Sequence, residues 1–401
     1  MKNLCFITCT FLFLFGFIIC SESCSKSGGG YNNPPSSTPS ASINNVSKDR
    51  GTTSSVYEFQ VSLSAKATSD ATIHYATVEG TAKEGADFTS ASGTITISAG
   101  ETKATIDITV TGDSLRKLNQ LFYVQLDAPK NCTLKTSKGT GTIVNENGLY
   151  FAVDNTGYTT ADSYPGYTLA WADEFDGNTV NTSNWTYEQG GNGWGNNELE
   201  NYTDRKQNSF VSNGNLIIEA RSESYNGGQY TSARMITKNK KTFTYGRVDI
   251  RAKLPKTKGI WPALWMLGNN IDAVGWPACG EIDIMELLGQ EPSKMYNTIH
   301  YGSSAATHGS YGTNYSLTGE SFDEKFHVFS MDWKEDSIKM FVDDNQVFAC
   351  NKSVVGQPYP FNSDFFFIFN IAVGGNWPGS PDGSTVFPQR MIVDYIRVFQ
   401  K

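Results

Sequence analysis

Three acids fall within six residues in the run Gly280-Glu281-Ile282-Asp283-Ile284-Met285-Glu286-Leu287-Leu288, which is otherwise apolar. Carboxylates inside such a strand are costly unless they are exposed or paired for a purpose. Period-two alternation puts Glu281 and Asp283 on one face. Glu286, five positions from Glu281, points the opposite way in a regular strand. A β-bulge between Asp283 and Glu286, adding one residue, returns it to the common face. Glu281 and Glu286 then flank a single glycosidic bond with Asp283 between them. Retaining hydrolysis of such a bond needs two carboxyl groups about 5–5.5 Å apart, one a nucleophile and one a proton donor. Carboxyls that close titrate together and keep one proton near neutral pH, and Asp283 would hydrogen-bond the nucleophile and set its rotamer. A strand with a solvated acidic face is the other reading of the same residues.

The aromatic residues weigh on that choice. Trp261-Pro262-Ala263-Leu264-Trp265 carries two indoles four residues apart, on the same side of an extended segment. Indole faces suit the CH-rich faces of pyranose rings, and indole N–H groups bond hydroxyls. Gly193-Trp194-Gly195-Asn196-Asn197-Glu198, and Asn376-Trp377-Pro378 after Val373-Gly374-Gly375, are Gly/Asn-rich loops, poor as core and well suited to contacting sugar. An aromatic cleft with an acidic centre is what a polysaccharide enzyme requires.

These residues need a scaffold, and the chain reads as two. Its 401 residues suggest two or three globular units, and all 8 tryptophans lie at Trp171 or beyond. A net charge of −8, with no Lys/Arg-rich block, leaves no electrostatic footprint for nucleic acid. From 41 to 147 the chain alternates at period two. Tyr57, Phe59, Val61 and Leu63 share one strand face, as do Ile95 and Ile97, then Ile106, Ile108 and Val110, then Phe122, Val124 and Leu126. Short strands punctuated by turn residues predict a small immunoglobulin-like β-sandwich. Residues 148–165 read as a linker. From 166 to 401 strand phrases such as GRVDIRAKL, IWPALWML and FFFIFNIAVGG follow one another without a helix-period segment of useful length. Asp343-Asp344-Asn345 reads as a hairpin turn. The fold class is therefore all-β, with the second unit a large antiparallel sandwich or jelly roll.

ATVEGTAKEGADFTSASGTITISAGETKATIDITVTGD, then LFYVQLDAP and GTGTIVN, resemble a Calx-beta domain over nearly its whole length. Members of that family often bind calcium through clustered carboxylates at one end of the sandwich. Here Asp87 and Asp113 remain, but Arg116, Lys117 and Gln120 stand where acids are expected. A hard calcium site without anionic oxygens loses most of its affinity. The expectation is a metal-free spacer and stability domain; the rival is a calcium-dependent adhesion module.

ELENYT, GRVDIRAKLP, GIWPALWMLG, GEIDIMELLG, NTIHYG, FHVFSMDW and VDYIRVF together resemble glycoside hydrolase family 16, specifically its laminarinase-like members, over roughly residues 166–401. The resemblance implies an antiparallel β-jelly-roll sandwich with a concave cleft and a retaining mechanism needing no catalytic cofactor. It implies the bulged acid motif with Met285 as the additional residue, Glu281 as nucleophile, Asp283 as its helper and Glu286 as acid/base. It makes Trp261 and Trp265 subsite platforms and matches Arg234, Asn196 and His300 to cleft positions, His300 donating a hydrogen bond near Glu286. His327 is assigned to structure and His308 has no assignment. A structural calcium on the convex side is implied at Glu174, the Gly214 backbone and Asp394. The expected partner is a β-1,3-glucan such as laminarin. Mixed-linkage β-1,3-1,4-glucan and the galactans agarose and carrageenan are alternatives, as is a non-catalytic glycan-binding lectin, which would call for loss of Glu281 or Glu286.

The N-terminus reads as an address. Residues 1–23 comprise a short basic start and the apolar stretch Phe6 to Ile19, too short to span a bilayer comfortably. With Cys24 after Ser23, they resemble a bacterial lipoprotein signal, Cys20 being the other candidate for acylation. The expectation is an exported protein, lipid-anchored at Cys24 to the outer membrane or cell surface, otherwise secreted or periplasmic. Residues 24–40 form a Gly/Ser/Pro/Asn-rich tether. Cys132, Cys279 and Cys350 are too sparse for a disulfide scaffold, although Cys279 and Cys350 could pair. The protein is expected to be a monomer.

Overall fold

A computed structural model describes residues 38–145 and 150–401. The signal, Cys24 and most of the tether lie outside the described residues. The first unit is a sandwich of a four-stranded and a five-stranded sheet between Ser40 and Val144. Its core is the set that alternation predicts: Tyr57, Phe59, Val61, Ile106, Ile108, Phe122 and Val124 are buried, with Phe122 and Phe88 stacked 4.8 Å apart.

The second unit packs a ten-stranded sheet against a seven-stranded one. The site is built on the seven-stranded sheet, which runs Thr186–Glu188, Arg234–Ile236, Phe365–Val373, Ile260–Gly268, Glu281–Leu287, Lys294–Tyr301 and Gly309–Ser316 in spatial order. Every described neighbour pair in that sheet is antiparallel. Phe365–Val373 is buried along its whole length, as the apolar run demands of a strand covered on both faces. Its odd members Phe365, Phe367, Phe369, Ile371 and Val373 enter the core between the sheets, and Phe366 and Ile368 pack on the other side. Ser337–Val342 and Asn345–Asn351 form the expected hairpin. Asp343 and Asp344 both take positive φ, 50° and 64°, matching the twist of the flanking strands.

The stretch expected as a linker is, in its described part, a strap laid on the larger sheet. Phe151 and Val153 pack on Ile217, Phe326 and Ile392. Buried Arg251 holds the strap by donating to the carbonyls of Asn155 and Tyr158 at 2.7 and 2.6 Å. The Tyr164 hydroxyl donates to Asp249 at 2.6 Å. These bonds tie the stretch read as a linker to the sheet.

Cys132, Cys279 and Cys350 are all buried free thiols. Cys350 sits in the core between the sheets and Cys279 in the separate cluster with Leu267 and Phe366, so the pairing considered between them is not made.

Candidate active site

The strand Glu281–Leu287 carries the irregularity that its acids require. Against Lys294–Tyr301, Asp283 pairs with Thr298 and Glu286 with Tyr296, so Ile284 and Met285 together oppose Asn297. Both bulge residues enter the core, and Glu281, Asp283 and Glu286 emerge on the opposite face, lining one cleft. The register against Ile260–Gly268 refines the expectation of Met285 as the added residue. Met285 pairs with Leu264 and Asp283 with Trp265, leaving Ile284 without a partner on that side. Asn297 secures the kink, its Nδ2 donating to the Ile284 carbonyl at 2.5 Å.

The cleft has a volume of about 580 Å³ and is walled by Trp194, Trp261, Trp265, Trp276 and Trp377. Trp261 Nε1 donates to Glu286 Oε1 at 3.1 Å, and Trp276 Nε1 donates to Glu281 Oε2 at 2.9 Å. Trp377 stands edge-on to Trp261, with ring centroids 5.4 Å apart. Trp265 Nε1 donates to Asn370 Oδ1 at 2.8 Å, and the Arg234 guanidinium lies over the Trp265 ring at 4.7 Å. That ring therefore shares its expected platform role with an arginine. Arg234 also approaches the Trp194 ring at 5.0 Å and bonds Glu188 at 2.5 Å. Trp194 and Asn197 take positive φ along with Gly193 and Gly195. This is a run of left-handed residues that the glycines make accessible and that turns Asn196 into the cleft.

Burial raises all three carboxyls. It pushes Glu281 up to about 8, with Asp283 adding to the rise, while His300, the Trp276 N–H and Arg234 oppose it. Burial lifts Glu286 well above the ordinary range, and the charges of Asp283 and Glu281 lift it further. Asp283 is raised by burial as well. The pair therefore separates by role. His300 and one indole N–H favour the anion of each glutamate, but Glu281 also has Arg234 and one acidic neighbour, whereas Glu286 faces two acids, so Glu281 is the one that ionises first.

His300, expected near Glu286, makes its close contacts with Glu281 and Asp283, although its charge also favours the Glu286 anion. Its Nε2 lies 3.7 Å from Glu281 Oε1 and 3.4 Å from Asp283 Oδ2. Direct opposition of Glu281 and His300 across the ladder dictates this placement. His327 is buried and bonds Asp343 at 2.6 Å, a structural role.

Trp276, His308 and Asn370 escaped the sequence reading as site residues. Trp276 reaches Glu281 from the turn before the strand. His308 Nε2 lies 2.8 Å from His300 Nδ1. Glu198 and Asn370 line the cleft and meet at the Tyr202 hydroxyl, which donates to Glu198 at 3.1 Å and accepts from Asn370 at 2.9 Å. Asn370 had a visible signal, as the lone polar residue in FFFIFNIAV. The loop residues had none, because a loop's reach is not periodic.

The residues expected to hold calcium on the convex side do not fit an ion. Both Glu174 oxygens accept from Arg397, at 2.7 and 2.9 Å, and Asp394 accepts from Arg251 at 2.7 Å. Gly214 turns with φ of 70° between the strands Ser209–Ser212 and Asn215–Tyr225. Carboxylates neutralised by guanidinium groups have no charge left for a hard cation. In the first unit, Asp87 bonds Arg50 at 2.9 Å and Gln120 at 2.7 Å, and Asp113 pairs with Lys117 at 2.9 Å. Burial alone would raise Asp87, but the Lys83 amide, Arg50 and Lys117 outweigh it and hold the carboxyl below its ordinary value. Side-chain cations stand where calcium would.

Residues 196–397 match the model of glycosyl hydrolases family 16, and residues 45–147 match the Calx-beta domain. The chain is 40% identical over 270 residues to a glucan endo-1,3-beta-glucosidase A1 of Niallia circulans, covering 61% of this chain but 39% of that longer protein. It is 40% identical over 253 residues to a beta-glucanase of Rhodothermus marinus, covering 60% of this chain and 87% of that one. Among solved structures, the laminarinase catalytic domain of Thermotoga maritima shares 49% identity with a TM-score of 0.55, covering 59% of this chain and 98% of that domain.

Proposed function

The chain belongs to glycosyl hydrolase family 16, and from that premise we propose that it is a retaining endo-β-1,3-glucanase acting on laminarin-like polysaccharide. One observation carries the reading: the bulge at Ile284 and Met285 delivers Glu281, Asp283 and Glu286 to the same cleft. Glu281 attacks the anomeric carbon as the anion that Trp276 and His300 favour, while Glu286 protonates the leaving oxygen. Water then hydrolyses the glycosyl-enzyme with Glu286, now ionised, as general base. Asp283 sets the charge that both carboxyls feel. The matched glucan endo-1,3-beta-glucosidase and laminarinase domain support β-1,3-glucan over mixed-linkage glucan, agarose or carrageenan. The presence of both glutamates speaks against a lectin.

Glu281→Gln is expected to cut reducing-sugar release from laminarin by at least about 10³-fold while leaving laminarin binding within a small factor. Substantial residual release would remove Glu281 as nucleophile. Wild-type product profiles on laminarin, lichenan and agarose side by side test the substrate, with laminarin expected to be cleaved fastest.

The reading extends to placement. A polymer too large to enter the cell calls for export, and the proposed route is acylation at Cys24 at the outer membrane or cell surface. The enzyme acts there as a monomer, with one chain supplying the whole cleft. Mass spectrometry of the N-terminal peptide, expected to carry diacylglycerol on Cys24, tests the anchor.

A further inference from the structure

We propose that Glu281, Asp283 and His300 form a binding site for a single divalent transition-metal ion, of which zinc(II) is the model, and that its occupation shuts the cleft off. The blocking rests on the reading of Glu281 as nucleophile; the binding does not.

One ligand atom from each of these residues lies within 4.8 Å of the other two, the one such grouping of three His, Cys, Asp or Glu side chains among the described residues. The atoms facing one another are short of hydrogen-bond partners. Asp283 is 3% exposed, and its Oδ2 has no hydrogen-bond partner. Glu281 uses Oε2 to accept from Trp276, which leaves Oε1 directed at the histidine. His300 presents Nε2 to both carboxylates, and its Nδ1 lies 2.8 Å from His308 Nε2. When Nδ1–H donates to His308, the Nε2 lone pair faces one carboxyl oxygen of Glu281 and one of Asp283, and a cation bound there takes the place of the protons those carboxyls hold.

The donor set selects the cation. One imidazole nitrogen and two carboxylate oxygens are too few oxygens for calcium, which takes six to eight. Nitrogen with carboxylate suits zinc and its neighbours, with water completing a tetrahedron. His308 then acts as the outer partner that fixes the ligand histidine's tautomer and orientation. The charges of the two carboxylates balance that of the ion. A metal held by Glu281 Oε1 draws off the charge of the carboxylate that must attack the sugar and sits in the cleft beside it, so metal and turnover exclude one another.

Isothermal titration of the full chain with zinc chloride tests this without substrate. One equivalent is expected to bind, His300→Gln is expected to abolish that binding, and His308→Gln, remote from the carboxylates, is expected to weaken it about tenfold. Melting curves of both variants verify that they fold. In parallel, laminarin hydrolysis is expected to fall in step with occupancy and to return on adding EDTA. Absence of stoichiometric binding, or binding unchanged in His300→Gln, overturns the site. Binding lost in His300→Gln but without inhibition of an active wild type overturns the blocking role. A wild type that binds zinc here but leaves laminarin uncut supports the site and overturns the glucanase reading instead.

Discussion

The chemistry of the cleft turns on how three neighbouring carboxyls divide their protons. Each glutamate has one indole donor and feels His300, but Glu281 also has Arg234 and one acidic neighbour, whereas Glu286 has two acidic neighbours. Activity requires the first ionised and the second protonated, so the profile of kcat/KM against pH is a bell whose limbs belong to the coupled set. The Asp283 charge raises both glutamates. Asp283→Asn is therefore expected to move both limbs to lower pH, read by kcat/KM on a soluble laminarin oligosaccharide. An unmoved alkaline limb would show that Asp283 does not set the Glu286 proton. The types and spacing of these residues were legible in the chain, as was the need for Glu286 to be turned. The partners Trp276 and His308 were not, because each arrives from a loop.

At the scale of elements, the strand Glu281–Leu287 works because its bulge is locked. Ile284 and Met285 are buried on the core side, and Asn297 opposite them ties down the Ile284 carbonyl. Asn297→Ala leaves that carbonyl without its donor in the interior, at an expected cost of about 1–3 kcal/mol in denaturant unfolding. The same change is expected to lower kcat by at least about tenfold with KM little altered, because a small displacement of Glu286 degrades the reacting geometry. A stability loss with unchanged kcat would mean that the bulge holds without Asn297. Alternation predicted which strand faces of the first unit are apolar, and the structure buries those residues, from Tyr57 to Leu126. The residue that takes up the bulge was harder to place: it depends on two neighbouring strands at once, and they count it differently.

For the whole molecule, raised carboxyls have a thermodynamic signature. In the unfolded chain Glu281 ionises near its ordinary 4.5, while in the fold it holds its proton to about 8. The folded state thus binds more protons through that interval, and stability falls as pH rises, by at most about 1.4 kcal/mol per pH unit for this group. Glu281→Gln should flatten that slope and raise the melting temperature at pH 7.5 relative to wild type; an unchanged slope would contradict the buried, protonated carboxyl. Metal is expected to play no part in holding the fold. Arg397, Arg251, Arg50 and Lys117 neutralise the acids that calcium would need. EDTA should therefore leave the calorimetric melting temperature unchanged, and a fall of several degrees would restore a structural ion.

The sequence by itself determined the all-β class, the two units, the apolar strand faces of the first unit and the identity of the three acids. Those properties follow from a period of two and from the cost of burying charge, both local to the chain. Only the tertiary structure decided what each polar group meets: that His300 faces Glu281 and Asp283, that Arg234 covers Trp265, and that the strap residues bond the larger sheet. Such meetings depend on the register between strands and on the reach of loops distant in sequence, which no periodicity along the chain encodes.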